Sequence, residues 1–190
     1  MRSQKKKESF AKAALLFPGQ GSQYFGMLGQ IFEYFPEEKR YFDKLEAAIK
    51  EIIPEGIAQF VLEERWKHSD SELSKLDKLI TQTKYAQPAI VAASLVVLDL
   101  LKKYSLSNIC FTGHSLGEIT ALCADGIISD TDAVKIAAKR GMLMSESSEN
   151  TGMIAVFSNL ETVRNILESF KIDLAIANRN SEKDMGWTSM

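Results

Sequence analysis

Cysteine is scarce in these 190 residues, with only Cys110 and Cys123 present. Two cysteines in a chain of this length make neither a disulfide framework nor a metal site. Net charge is almost absent too: 23 Lys and Arg against 25 Asp and Glu give a formal charge of −2. That balance offers no electrostatic basis for binding nucleic acid or an anionic membrane. No run approaches the roughly 18 consecutive apolar residues of a membrane span. The basic start, MRSQKKKES, lacks the apolar stretch of a secretion signal, because the run from Ala13 to Phe17 is short and stops at Pro18-Gly19. These absences lead us to expect a cytoplasmic protein with no metal and no nucleic-acid or membrane partner. Histidine is scarce as well, so His68 and His114 are the only candidates for an imidazole base within the sequence.

What is present is ordinary for a globular chain, 45% apolar and 25% charged, and long enough to bury a substantial core. The segment AALLF, 13–17, reads as a buried strand feeding the glycine-rich turn PGQGSQ. A helix follows Pro36, with Phe42, Leu45, Ile49 and Ile52 at helical spacing. Residues 55–80 are mixed and charged, and read as short helices and loops. From Gln87, QPAIVAASLVVLDLLKKY is apolar for more than a dozen residues and ends in a lysine pair, as a buried helix does. ICFT, 109–112, is a strand; LGEITALCADG is a helix stopping at Gly126; and a further helix opens with Ser129 or Asp130 as its cap. GMIAVF, ETVRNILESF and LAIAN then spell strand, helix, strand, a βαβ-like unit. The alternation defines the α/β class, without internal repeats.

The segment FTGHSLGE, 111–118, places Ser115 in the pattern G-x-S-x-G between a strand and a helix. That is the context of a nucleophile elbow, where small neighbours let strand and helix approach and the helix N-terminus aims free N–H groups at a developing oxyanion. The Leu116 N–H is the first such donor. A serine also needs a base within about 2.6 to 3.2 Å of its oxygen. Adjacent residues on a tight turn diverge, so His114 reads as a histidine packed or hydrogen-bonded under the elbow. His68, in RWKHSDSE, reads as a solvated loop histidine.

Four separated motifs, LFPGQGSQYFGM (16–27), TKYAQPAI (83–90), GHSLGE (113–118) and KRGMLM (139–144), together resemble the malonyl-CoA:acyl carrier protein transacylases of bacterial type II fatty-acid synthesis. They are similar to the acyltransferase domains of polyketide synthases too. The resemblance runs from about residue 13 to about residue 181. It implies an α/β-hydrolase-like large subdomain with a parallel sheet and nucleophile elbow, plus a partial ferredoxin-like small subdomain. The basic start, 1–12, reads as disordered from its composition, and the resemblance implies the boundaries 13–150 for part of the large subdomain and 151–190 for the small one with a divergent tail. By the same resemblance Ser115 carries the malonyl ester, the Gln20 and Leu116 N–H groups form the oxyanion hole, Gln87 lines the site, and Arg140 binds the malonate carboxylate. The implied partners are malonyl-CoA and acyl carrier protein, met by a monomer with no bound cofactor.

The role implied for Arg140 has its own physical logic. A malonyl thioester differs from an acetyl thioester by one carboxylate, which a guanidinium fork grips through two charge-assisted hydrogen bonds. Met142 and Met144 beside it could wall an acyl pocket, but at helical spacing they read as core. Members of the family are longer and carry their base histidine on a later segment, so the resemblance places the base outside these 190 residues. The final EKDMGWTSM matches no pattern of the family. Two other readings stand beside this one: a serine esterase or thioesterase, which has no need of PGQGSQ or Arg140, and a non-catalytic, truncated remnant of the acyltransferase.

Overall fold

The computed structural model describes residues 13–104, 109–146, 153–170, 175–181 and 184–188. The expected disordered start, 1–12, lies outside the described residues. Two compact units divide the chain, Met1–Ser145 and Glu146–Met190.

The first unit is built on two parallel strands, β1 (Ala13–Phe17) and β2 (Ile109–Gly113), paired from Ala13↔Ile109 to Phe17↔Gly113. Parallel neighbours need a long crossover, and here it is helical: α1 (Gly29–Tyr34), α2 (Glu38–Lys50), α3 (Ala58–Val61), a 3-10 turn (Arg65–Lys67), α4 (Asp70–Ile80) and α5 (Thr83–Lys102). After β2 come α6 (Leu116–Ala124) and α7 (Asp130–Glu146). The mixed stretch 55–80 is more regular than its composition suggests. Helix α4 runs three turns because Ser69 and Glu72 form a capping box, the Glu72 carboxylate accepting the Ser69 N–H at 2.9 Å.

The core gathers around α5. Ile90, Val91 and Leu95 of α5, Phe42, Leu45 and Ile49 of α2, Leu116 of α6 and Val134 of α7 are essentially inaccessible to solvent. Each fully buried large apolar side chain contributes roughly 1.5–3 kcal/mol. Among the described residues α5 is the one helix long and apolar enough to cross a membrane, and most of its surface is taken up by this core. It begins at Thr83, four residues before the apolar run, and so contains Pro88 in its second turn.

One strand departs from expectation. β1 is not buried: Leu16 is 75% exposed, Leu15 is half-buried and only Phe17 is fully inside. Among the described residues β1 pairs along one edge alone, and its outer side opens on an apolar groove with Met27, Ile31 and Val97.

The small unit contains β3 (Met153–Val156), α8 (Leu160–Phe170), β4 (Ala175–Ser181) and β5 (Asp184–Thr188). Asn159 caps α8 by accepting the Thr162 N–H at 2.9 Å, and Val163 packs with Val156, Leu160, Leu167 and Ile176. The strand order is β3-β5-β4, with β5 antiparallel to both neighbours. The βαβ reading is therefore completed by a strand from the tail that matched no pattern: β5 inserts between β3 and β4, in the manner of a split βαβ unit.

Candidate active site

Ser115 sits between the end of β2 and the start of α6 with φ 52° and ψ −105°, the one non-glycine residue with positive φ among those described. Such a conformation costs on the order of 1–3 kcal/mol and persists only when its surroundings hold it. Two glycines make the turn possible. A β carbon on Gly113 would lie 2.2 Å from the Gly117 backbone, and one on Gly117 would lie 2.1 Å from the Phe17 carbonyl oxygen. Strand β1, the elbow and α6 thus touch backbone to backbone. The Glu118 carboxylate accepts the Ser115 N–H at 3.0 Å and ties the elbow to the first turn of α6.

The helix start leaves one donor for the reacting centre. The Gly117 N–H bonds to the His114 carbonyl (3.0 Å) and the Glu118 N–H to the Ser115 carbonyl (3.2 Å). No acceptor among the described residues takes the Leu116 N–H. It can meet an oxyanion.

Arg140 reaches the elbow from α7. Its Nη2 donates to Ser115 Oγ at 3.3 Å and its Nη1 to Gln87 Oε1 at 2.8 Å. The approach depends on the α5–α7 crossing, where Gly141 faces the start of α5 and a β carbon would lie 2.7 Å from the Thr83 carbonyl oxygen. Gln87, fully buried, also donates from Nε2 to Gln20 Oε1 and to Met144 Sδ, both at 3.2 Å. Gln20 in turn donates from Nε2 to Thr83 Oγ1 at 3.2 Å. Four separated segments, the PGQGSQ turn, α5, the elbow and α7, therefore meet through one chain of side-chain hydrogen bonds.

The structure thus brings Ser115, Gln20, Gln87 and Arg140 into one site, with Leu116 at the adjoining helix start. Thr83 and Glu118 belong to it too and were not singled out from sequence, and so does Met144, which the helical spacing assigned to the core rather than to an acyl pocket. Met144 is partly exposed and its sulfur faces Gln87, whereas Met142 packs against the core. The histidines depart in part from expectation. Of the two readings of His114, packed or hydrogen-bonded under the elbow, its exposure excludes the first; its Nδ1 lies 3.5 Å from where a β carbon on Gly19 would lie. His68 is not a solvated loop residue: its ring is half-buried, edge-on to Phe25, with Nε2 2.8 Å from Glu63 Oε2. No group of three or more His, Cys, Asp or Glu able to hold a metal occurs among the described residues.

A serine on a strained strand-to-helix elbow, with a helix N-terminus beneath it and an amide-oriented guanidinium beside it, defines an α/β protein of the serine acyl-transfer or acyl-hydrolysing class. Residues 14–185 match the acyl transferase domain, and the chain belongs to that family. It is 39% identical over 141 residues to the malonyl CoA-acyl carrier protein transacylase of Bacillus subtilis, an alignment covering 72% of this chain and 38% of that protein. A reducing polyketide synthase of Fusarium langsethiae is 28% identical over 166 residues, 87% of this chain and 7% of the synthase. Among solved structures, that of MCAT from Mycobacterium tuberculosis superposes with a TM-score of 0.72 at 33% identity, covering 94% of this chain and 55% of that one. The chain thus spans well under two thirds of the length of these relatives.

Proposed function

We propose that this chain carries the nucleophile and acyl-recognition half of a malonyl-CoA:acyl carrier protein transacylase. Ser115 Oγ attacks the thioester carbonyl of malonyl-CoA, the carbonyl oxygen takes the negative charge against the Leu116 and Gln20 N–H groups, and the C–S bond breaks. Coenzyme A leaves as the thiol and malonyl remains as an ester on Ser115. The phosphopantetheine thiol of acyl carrier protein then attacks that ester and restores the serine. The serine proton passes to a general base, a role we assign to neither His114 nor His68; the family resemblance supplies it from a later histidine. No cofactor enters these steps. The Ser115–Arg140 pair is complete within one chain, so the proposal takes it as a monomer.

The observation that carries the reading is the Arg140 guanidinium 3.3 Å from Ser115 Oγ. A carboxylate one methylene away from a reacting carbonyl falls within reach of that fork, which an acetyl group cannot use. A half-buried guanidinium left without its carboxylate partner disfavours the analogue that lacks the carboxylate. The experiment is intact mass after incubation with malonyl-CoA. A malonyl adduct on the wild-type chain and none on Ser115→Ala is expected. Arg140→Ala should lose malonyl over acetyl preference far more than it loses acylation by acetyl-CoA, and equal loss with both donors refutes the assignment. A folded wild-type chain that takes no adduct points instead to a non-catalytic remnant.

A further inference from the structure

We infer that Thr83 is a positioning residue for the Gln20 turn, acting as the terminal acceptor of the hydrogen-bond chain that begins at Arg140. The inference rests on the proposed acyl transfer for its kinetic consequence but not for its structural one.

The direction of the chain follows from donor and acceptor capacity. A guanidinium only donates, so the Gln87 oxygen must face Arg140 and the Gln87 NH₂ must face away from it. That NH₂ meets Gln20 Oε1 at 3.2 Å, which turns the Gln20 NH₂ outward to Thr83 Oγ1, also at 3.2 Å. Arg140 thus sets the orientation of both carboxamides, and Thr83 receives the last donor.

Thr83 is suited to be an anchor because it is itself fixed. It is the first residue of α5, and its carbonyl lies under Gly141 at the α5–α7 crossing that also places Arg140. Gln20, by contrast, is exposed on a turn between Gly19 and Gly21, and its side chain is bonded to Gln87 and Thr83 alone among the described residues. The Thr83 hydroxyl therefore references an oxyanion-donor turn to the same helix pair that presents the carboxylate-binding group. The donor for the carbonyl oxygen and the donor for the substrate carboxylate are held to one ruler.

The test uses the full chain with Thr83→Val, which keeps shape and removes the acceptor, Thr83→Ala as a second variant, and Thr83→Ser as the rescue. In a ¹⁵N side-chain amide spectrum the Gln20 NH₂ pair should shift in the Val and Ala variants and return in the Ser variant. Acylation by malonyl-CoA should slow about fivefold in kcat, the size of one neutral hydrogen bond, with KM and the malonyl-over-acetyl preference unchanged. An unmoved Gln20 amide in Thr83→Val and Thr83→Ala, or a Thr83→Ser variant that fails to restore it, overturns the inference. A wild-type chain that takes no malonyl adduct defeats the proposed function alone, because the amide spectrum still decides the role of Thr83.

Discussion

Replacing Gly117 with alanine isolates the contact on which the elbow depends. The added β carbon would sit 2.1 Å from the Phe17 carbonyl oxygen and 2.8 Å from its carbon, whereas ordinary contact lies at 3.4–4 Å. Both opposing atoms are backbone, so α6 must retreat from β1 by more than an ångström. Overpacking of this kind costs about 1–3 kcal/mol, and the better helix propensity of alanine returns at most about 1 kcal/mol. A net loss of about 1–2 kcal/mol lowers the melting temperature by roughly 2–8 °C in a chain of this size. The elbow moves with α6, and an ångström of misplacement at a reacting centre lowers rates by about 10²-fold. The matched control is Gly126→Ala, at the end of α6: φ is 81° there and nothing lies within 4 Å of a β carbon. That variant bears left-handed strain of about 1–2 kcal/mol without displacing the elbow. Thermal melts and the labelling rate of Ser115 by a fluorophosphonate separate the two. Both variants should melt earlier, and only Gly117→Ala should label slowly. A Gly117→Ala chain as stable and as readily labelled as wild type would refute the close-approach argument.

Two further outcomes follow from the electrostatics of the first unit. The paired Arg65 guanidinium, joined by the Phe25 N–H, holds the Asp77 carboxyl below the usual carboxylate range. Stability from a carboxyl depressed on folding is fully present above its unfolded value, about 4, and is lost as pH falls through the folded value. The melting-temperature gap between wild type and Asp77→Asn should therefore be constant near neutrality and close as pH is taken below 4, and a gap independent of pH down to 2 would contradict it. Burial, with Asp130 beside it, pushes the Cys123 thiol up to about 12, while Cys110 is exposed. Iodoacetamide at pH 8 should add one group to the native chain, on Cys110, and two after denaturation; two on the native chain would show that Cys123 is open.

The large features were legible because each rests on local chemistry. The elbow announces itself through Gly113, Ser115 and Gly117, the α5 core helix through its apolar run, and the α6 stop through Gly126. What stayed hidden depends on distant partners. The burial of β1 was misjudged because AALLF shows its apolarity but not how many strands flank it. The short helices expected over 55–80 are present, but the start and three-turn length of α4 were not placed although Ser69 and Glu72 spell a capping box, because charged residues around the cap obscured the period. β5 was unreadable in DMGWT, since its place is set by pairing with β3 and β4 rather than by its own composition. At the site, Ser115, Gln20, Gln87 and Arg140 were named through the resemblance of their motifs. Thr83 was not, and Met144 was assigned to the core, because a hydroxyl and a thioether gain meaning only when an amide is brought to 3.2 Å from them.

The choice of neutral amides around Arg140 is itself informative. A guanidinium reaching into a site must be oriented, and the strongest orienting partner would be a carboxylate, which grips it through two charge-assisted bonds. Such a partner would also satisfy the charge and leave no reason to bind an incoming acid. Gln87 orients through one oxygen at 2.8 Å and supplies no charge, so Arg140 keeps its remaining N–H donors and its full electrostatic demand. Burying Gln87 completely costs little because its recorded bonds run to Arg140, Gln20 and Met144. The other contact of the guanidinium is the Ser115 oxygen, which as an acceptor is left free to point its own proton elsewhere. Among the described residues the site therefore sets a guanidinium with no carboxylate partner beside a nucleophile, an arrangement that supports the proposed acyl group bearing its own carboxylate.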